Sequence, residues 1–249
     1  MYINKTAFNR KLHRRRKQIM VFILLLCCII SFIIIFKTDI FSIEKVTVNG
    51  NTVLTEEEVV HMSGINIGNQ IFKEKTSEIR GVLLQNPYIK EAHIKRRLPN
   101  RIIINIAERQ EVALVPFMDV FLVIDEEGMV LKSEKESQHL KSIVGLQFDH
   151  FMEGEILDVE ESETLKKALE IIKGIDKRGI SISGLDVTNR NNMVIRLTEN
   201  MICRIGDGTN MDYRLKLLDK ILIDLASRDI TRGVIDINYE GNPTYRPVD

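Results

Sequence analysis

Residues 19–36 are eighteen consecutive positions without a charge, fourteen of them Ile, Leu, Val or Phe. An α-helix of that length rises about 27 Å, close to the ~30 Å hydrocarbon thickness of a bilayer. At roughly 0.3–0.6 kcal/mol for each of the fourteen, lipid insertion is favoured by at most about 4–8 kcal/mol. A helix buried in a soluble core would show a polar stripe, and a cleavable signal peptide would end in small residues. This run has no polar stripe and ends Phe36-Lys37-Thr38-Asp39-Ile40-Phe41. The pattern predicts a retained transmembrane helix over 19–36.

The flanks orient it. Lys5, Arg10, Lys11, Arg14, Arg15, Arg16 and Lys17 precede the run with no Asp or Glu among them, whereas Lys37 and Asp39 behind it cancel. Cationic flanks stay in the cytoplasm, so residues 1–18 are expected to be a cytoplasmic tail. Arg14, Arg15, Arg16 and Lys17 are the membrane-orienting residues, and everything after 36 is expected on the far side. Such a cluster also suits a nucleic-acid backbone. Next to a span, though, attraction to anionic headgroups, at about 1 kcal/mol per cation, accounts for it.

The overall charge of zero conceals an asymmetry: residues 19–249 carry 28 Lys and Arg against 35 Asp and Glu. A mildly acidic external portion argues against nucleic acid as its partner. Of the three cysteines, Cys27 and Cys28 lie in the apolar run, which leaves Cys203 alone outside it. No internal disulfide is available there, and Cys203, between Ile202 and Ile205, reads as a small buried hydrophobe.

Beyond the run, Val46 and Val48 alternate with Lys45 and Thr47 as in a half-buried strand, and Asn49-Gly50-Asn51 supplies a turn. Thr55 and Glu58 form a capping box that starts a short helix ending at Gly64. A second helix places Ile79, Val82 and Leu83 on one face, and Asn86-Pro87 stops it. Strands are expected over 88–97 and 101–107, with Ile102, Ile104 and Ile106 on one side and His93 outward. Further on, 112–115, 120–125 and 129–132 read as short strands around a Glu127-Gly128 turn. An amphipathic helix over 160–173 turns Leu165, Ala168, Leu169 and Ile172 inward. Strands follow at 180–187, 193–198 and 201–205. A helix over 212–227 has Leu215, Leu218, Leu222 and Leu225 at three- and four-residue steps, and 233–239 is the last strand. Pro243 and Pro247 predict an extended, irregular tail.

Several of these signals together resemble one family. Val46-x-Val48-x-Gly50-Asn51, Pro87 before a strand, Arg97-x-Pro99, and Glu108-Arg109 followed by Val112-Ala113 stand in order behind an inside-anchored span. This layout is similar to that of the FtsQ/DivIB family of bacterial division proteins. The resemblance implies an α+β chain: a single N-terminal transmembrane helix, a POTRA domain (β-α-α-β-β) over 42–109, and a mixed α/β domain with a mainly antiparallel sheet over 110–240. A tail over 241–249 completes it. It further implies a non-enzymatic scaffold of the divisome, held in the cell membrane at the septum and binding FtsL-like and FtsB/DivIC-like membrane-anchored proteins. No cofactor is implied. The family's partner-binding end corresponds to Tyr239, Glu240, Gly241 and Tyr245. Some relatives carry an arginine just before that first tyrosine, where this chain has Asn238.

The residues themselves disclose no reaction. His13, His61, His93, His139 and His150 are scattered, with no H-E-x-x-H, nucleophile elbow or phosphate loop. Gly206-Asp207-Gly208 ahead of a helix could hold an anion, although such turns between strand and helix are ordinary. Glu126-Glu127 and the group Glu160, Glu161, Glu163 fall at expected surface turns and helix starts. A POTRA-bearing secretion or envelope-assembly protein and an anchored cell-wall hydrolase are the alternative readings. The first lacks a following run of barrel strands, the second an active-site constellation.

The seven-to-none charge bias carries a topology prediction. A reporter active only outside the cytoplasm is expected to work when fused after Asp249 and to fail when fused after Lys17. The opposite pattern would overturn the orientation.

Overall fold

The computed structural model describes residues 5–37, 39–136, 140–238 and 243–248, with side chains described from Arg16 onward except at 32 and 34–37. The helix α1 (Lys5–Lys37) contains the whole apolar run. Its described apolar side chains all face outward; Ile19, Phe22, Leu24 and Ile33 are each half or more exposed. Among the described residues no helix is long and apolar enough to cross a membrane. Positions 32 and 34–36, which complete the run, have side chains outside that set, as do Arg14 and Arg15. Backbone contacts divide the chain into two units, 1–83 with 92–106 and 84–91 with 107–249.

In the first unit a single 3-10 turn (Asp39–Phe41) leads to β1 (Lys45–Asn49), α2 (Glu56–Ser63), α3 (Thr76–Leu83), β2 (Ile89–Arg97) and β3 (Arg101–Glu108). The strand order is β1-β3-β2, with β1 parallel to β3 and Val46 and Val48 opposite Ile102 and Ile104. The capping box forms as the residues dictate. The Thr55 hydroxyl accepts from the Glu58 N–H at 3.2 Å while the Thr55 N–H donates to the Glu58 carboxylate at 2.8 Å. Gly64 closes the helix in the left-handed conformation. Ile43, Val46, Val48, Val59, Ile71, Ile79, Leu83, Ile102, Ile104 and Ile106 are buried. Val82, expected in this core, is 46% exposed instead. The eight-residue α3 buries a stripe one residue wide, Ile79 and its i+4 neighbour Leu83, and position 82 falls beside it. Ile94 is half-buried and His93 faces outward, as alternation requires.

The second unit holds β4 (Ala113–Phe117), β5 (Val120–Ile124), β6 (Val130–Glu134), β7 (Lys141–Val144), α4 (Ser162–Arg178), β8 (Gly184–Asp186), β9 (Met193–Thr198), β10 (Met201–Gly206), α5 (Met211–Ser227), β11 (Gly233–Asp236) and β12 (Thr244–Arg246). They make one sheet ordered β12-β11-β10-β9-β8-β7-β4-β5-β6. The β4–β7, β7–β8 and β10–β11 pairings are parallel and the other five antiparallel, so the sheet is mixed. Pro116 is tolerated in β4 because β7 pairs only with Ala113 and Leu114, leaving no ladder partner on that side for the missing N–H. α4 turns Leu165, Ala168, Leu169 and Ile172 inward as its spacing predicts, and adds Ile171 and Ile175. Leu215, Leu218 and Leu225 of α5 are buried and Leu222 half-buried.

Three expectations change. The strand expected over 180–187 shrinks to β8, because Ile180 and Ile182 are buried in the core ahead of the ladder. β7, a strand of mixed composition (Lys-Ser-Ile-Val), carries too little alternation to be read from sequence. The last expected strand ends at Asp236, and the tail is not irregular throughout: β12 pairs antiparallel with β11. β11 is therefore an inner strand.

A buried charge holds the base of the β2–β3 hairpin within the second unit. The Asp125 side chain is 2% exposed; it accepts from the Glu127 and Met129 N–H groups at 2.8 Å each and pairs with Arg109 at 2.5 Å. Arg109 also reaches Glu127 at 2.6 Å, and Lys90 reaches Glu127 at 2.9 Å. Those hydrogen bonds, Arg109's first, hold the Glu127 carboxyl below its usual 4.5.

Ile104→Asp is expected to unfold the first unit. It removes packing worth about 2–5 kcal/mol and strands a carboxylate without a partner. Hydrogen exchange should show 45–49 and 101–106 losing protection while β9 and β10 keep theirs; unchanged protection would show this register to be wrong.

Candidate functional site

One end of the nine-stranded sheet is built by α5, β11 and β12. α5 carries the chain back so that β11 joins β10 in parallel, with Ile202 opposite Val234 and Cys203 opposite Ile235. The Ile237 N–H extends this ladder to the Arg204 carbonyl at 3.0 Å. β12 then returns, placing Tyr245 opposite Ile235 and Thr244 opposite Asp236. Gly233 makes room for it. A methyl group there would stand 2.5 Å from the Tyr245 ring and 2.7 Å from the Arg246 carbonyl oxygen, and φ is +139°. The Tyr245 hydroxyl donates to the Arg232 carbonyl at 2.6 Å, and its half-buried ring packs against the core.

The two outer edges of the sheet differ. Beyond β6, residues 153–157 lie along the strand: Gly154 N–H donates to Val130 O, Val130 N–H to Glu155 O, and Leu157 N–H to Gly128 O, all at 2.8–2.9 Å. The Glu153 carboxylate accepts from the Ser133 N–H at 2.8 Å. That edge is covered. β12 has β11 on one side and, among the described residues, no strand on the other. Beside it runs a groove of about 320 Å³ between α5 and the returning chain, lined by Ile221, Leu225, Ile230, Pro243 and Tyr245 with Lys220, Asp224 and Arg228 at its rim. An edge strand next to an apolar groove can accept a segment that is extended on one side and apolar on the other.

Of the residues expected to bind a partner, Tyr245 is placed on β12 with its hydroxyl turned to the domain's own backbone. Tyr239, Glu240 and Gly241 lie outside the described residues. Asn238 takes a local role: its N–H donates to the Asp236 carboxylate at 3.1 Å, and its amide oxygen lies against Gly206. Sequence reasoning missed the apolar groove beside β12, whose residues come from α5 and from either side of β11. The sequence signal for it was the Ile221, Leu225 step on α5, which reads equally as core.

The other candidates resolve simply. Cys203 is fully buried in β10, and burial pushes its thiol up. The Asp207 carboxylate accepts the Thr209 N–H and hydroxyl at 3.0 and 2.8 Å and so fills the turn that an anion would occupy. Glu126 is held below its usual value by hydrogen bonding to Lys173. Like Glu127, it is shifted opposite to what a general acid needs. A polar cavity of about 450 Å³ lies where β7 and β8 end and α4 begins, beside the Glu161–Arg190 pair at 2.5 Å. Among the described residues no group of three His, Cys, Asp or Glu could hold a metal ion.

Residues 41–109 match the family described as POTRA domain, FtsQ-type, and residues 114–238 match Cell division protein FtsQ/DivIB, C-terminal. The second match alone spans half the chain. The chain belongs to the FtsQ/DivIB family of cell division proteins. Within it, the cell division protein DivIB of Clostridium botulinum strain Hall is 28% identical over 243 residues, covering 94% of each chain. Cell division protein FtsQ of Rickettsia felis is 29% identical over 161 residues, covering 64% of this chain and 58% of its own. The solved major extracytoplasmic domain of the trans isomer of DivIB from Geobacillus stearothermophilus covers 51% of this chain and 99% of its own at 14% identity, with a TM-score of 0.33, a likeness that carries no argument.

Gly233→Ala is expected to detach β12, since the strained φ alone costs about 1–3 kcal/mol. Amide exchange at 244–246 should accelerate while β9 and β10 stay protected. Unchanged exchange would mean that Gly233 is not what admits the last strand.

Proposed function

We propose that this FtsQ/DivIB chain is a non-enzymatic, membrane-anchored scaffold of the bacterial divisome that links FtsL-like and FtsB/DivIC-like proteins during septal wall synthesis. Residues 1–18 are its cytoplasmic tail, 19–36 its single span, 42–109 its POTRA domain, 110–240 its β-rich domain and 241–249 its tail. Apolar side chains exposed around α1 support the span, because a helix apolar on every side needs lipid or a protein core around it.

One observation carries the docking reading: β6 is covered along its outer edge while, among the described residues, β12 has no strand along its own. A partner strand pairs with β12, and the adjoining groove takes its apolar side chains. Tyr239, Glu240 and Gly241, in the segment leading into β12, contribute contacts, and Tyr245 holds the strand in place. Tyrosines serve as anchors because each buries a large ring and keeps a hydrogen-bonding tip.

A chain ending at Ile237 lacks β12 and is expected to lose capture of FtsL-like and DivIC-like proteins from cross-linked dividing cells, while β9 and β10 remain protected from exchange. Tyr239→Ala, which leaves β12 in place, should weaken capture by about 2 kcal/mol, roughly thirty-fold. Full capture by both folded variants would move the interface elsewhere.

A further inference from the structure

Exposed apolar side chains are ordinary when scattered singly. In the first unit four of them come from three separate segments to one end. Ile40 is 57% exposed, Ile67 61%, Phe72 42% and Leu98 60%. Backbone hydrogen bonds bring the segments together: Ile71 N–H to Phe41 O, Gly68 N–H to Ile43 O, and Glu44 N–H to Asn100 O, all at 2.8–2.9 Å. The Phe41 and Phe72 rings meet with centroids 5.4 Å apart. Arg96 ties the β2–β3 turn to the same loop, its Nε donating to Ile71 O at 3.0 Å.

Charge gathers at this end as well. Lys73, Arg97 and Arg101 are exposed there. The nearby carboxylates are Asp39, Glu44, which accepts the Asn100 amide at 2.6 Å, and Glu74, which accepts the Asn69 amide at 3.0 Å; with Lys45 and Arg96 also exposed at this end, five cations stand against these three. Cations set among exposed Phe, Ile and Leu side chains suit the interface of an anionic membrane, where lysine and arginine meet headgroups and apolar chains enter the acyl boundary.

Chain length identifies the surface. Ile40 lies four residues beyond Phe36, the end of the apolar run, so at most about 14 Å of chain separates them. A headgroup layer is itself about 5–8 Å thick. We propose that this end of the first unit, carrying Ile40, Ile67, Phe72 and Leu98 with Lys73, Arg97 and Arg101, seats on the anionic lipid surface into which the chain's own helix inserts. The proposal rests on the reading of 19–36 as a span. The opposite end of β1 carries Val53, 54% exposed, with Glu56, Glu57 and Glu58, and faces away from the lipid. It lies farther off by the roughly 16 Å rise of five strand residues.

The chain contains no tryptophan, so a single introduced one reports its own position. Full-length Ile67→Trp, Phe72→Trp, Leu98→Trp, Val53→Trp and Phe22→Trp variants are reconstituted into phosphatidylcholine vesicles with and without phosphatidylglycerol, carrying acyl chains brominated near the headgroup. Emission at 67, 72 and 98 is expected to be blue-shifted and quenched, more so with phosphatidylglycerol, while 53 stays red and unquenched and 22 is quenched in both. If 67, 72 and 98 behave as 53 does while 22 is quenched, the span stands and the seat is overturned. An unquenched 22 overturns the span and the seat with it. Equal quenching in the two lipids overturns the anionic assignment.

Discussion

Parallel strands cannot be joined by a tight turn, and the second unit contains three parallel pairings, so much of its architecture follows from how the chain returns. Two returns run through helices: α4 between β7 and β8, and α5 between β10 and β11. The helices approach closely at Gly174, where a methyl group would stand 2.7 Å from the Leu215 Cδ1. They share one core with the sheet, in which Ala168, Ile172, Leu185, Ile195, Cys203, Leu215 and Ile235 are all buried. The connection from β7 to α4 has a second task, because on its way it lays 153–157 along β6.

That arrangement decides which edge of the sheet is covered. An unpaired edge invites another strand, and β6 would be such an edge without the segment beside it. α5 brings β11 to the opposite side, where a return of the same chain covers it with three residues. Tyr245 serves this closure through its hydroxyl bond to Arg232, and the groove along α5 continues past it. The two edges therefore differ: one is lined by 153–157, and the other ends, among the described residues, at β12.

The first unit has polarity along its strands. One end follows the apolar run and carries exposed apolar and cationic side chains, and the other carries the acidic first turn of α2. Its parallel β1–β3 pairing fixes this, since both strands start at the same end, Lys45 beside Arg101.

Sequence alone determined the features that depend on neighbours within a few residues. The Thr55–Glu58 capping box, the Gly64 stop, the alternation of Ile102, Ile104 and Ile106, and the inward stripes of α4 and α5 are periodic or local signals, and the structure keeps them. The apolar run and its cationic flank are equally local. The ordered family signals were legible for the same reason, since each is a turn or strand mark. Tertiary structure decided what depends on residues far apart. Whether Val82 is buried turned on the width of the stripe α3 presents, and β7 became a strand through its parallel partners β4 and β8. Periodicity cannot say which strand is an edge, because an inner strand such as β11 and an edge strand differ only in what lies alongside. The return of β12 over Gly233, the cover on β6, and the meeting of Ile40, Ile67, Phe72 and Leu98 at one end are long-range pairings of that kind.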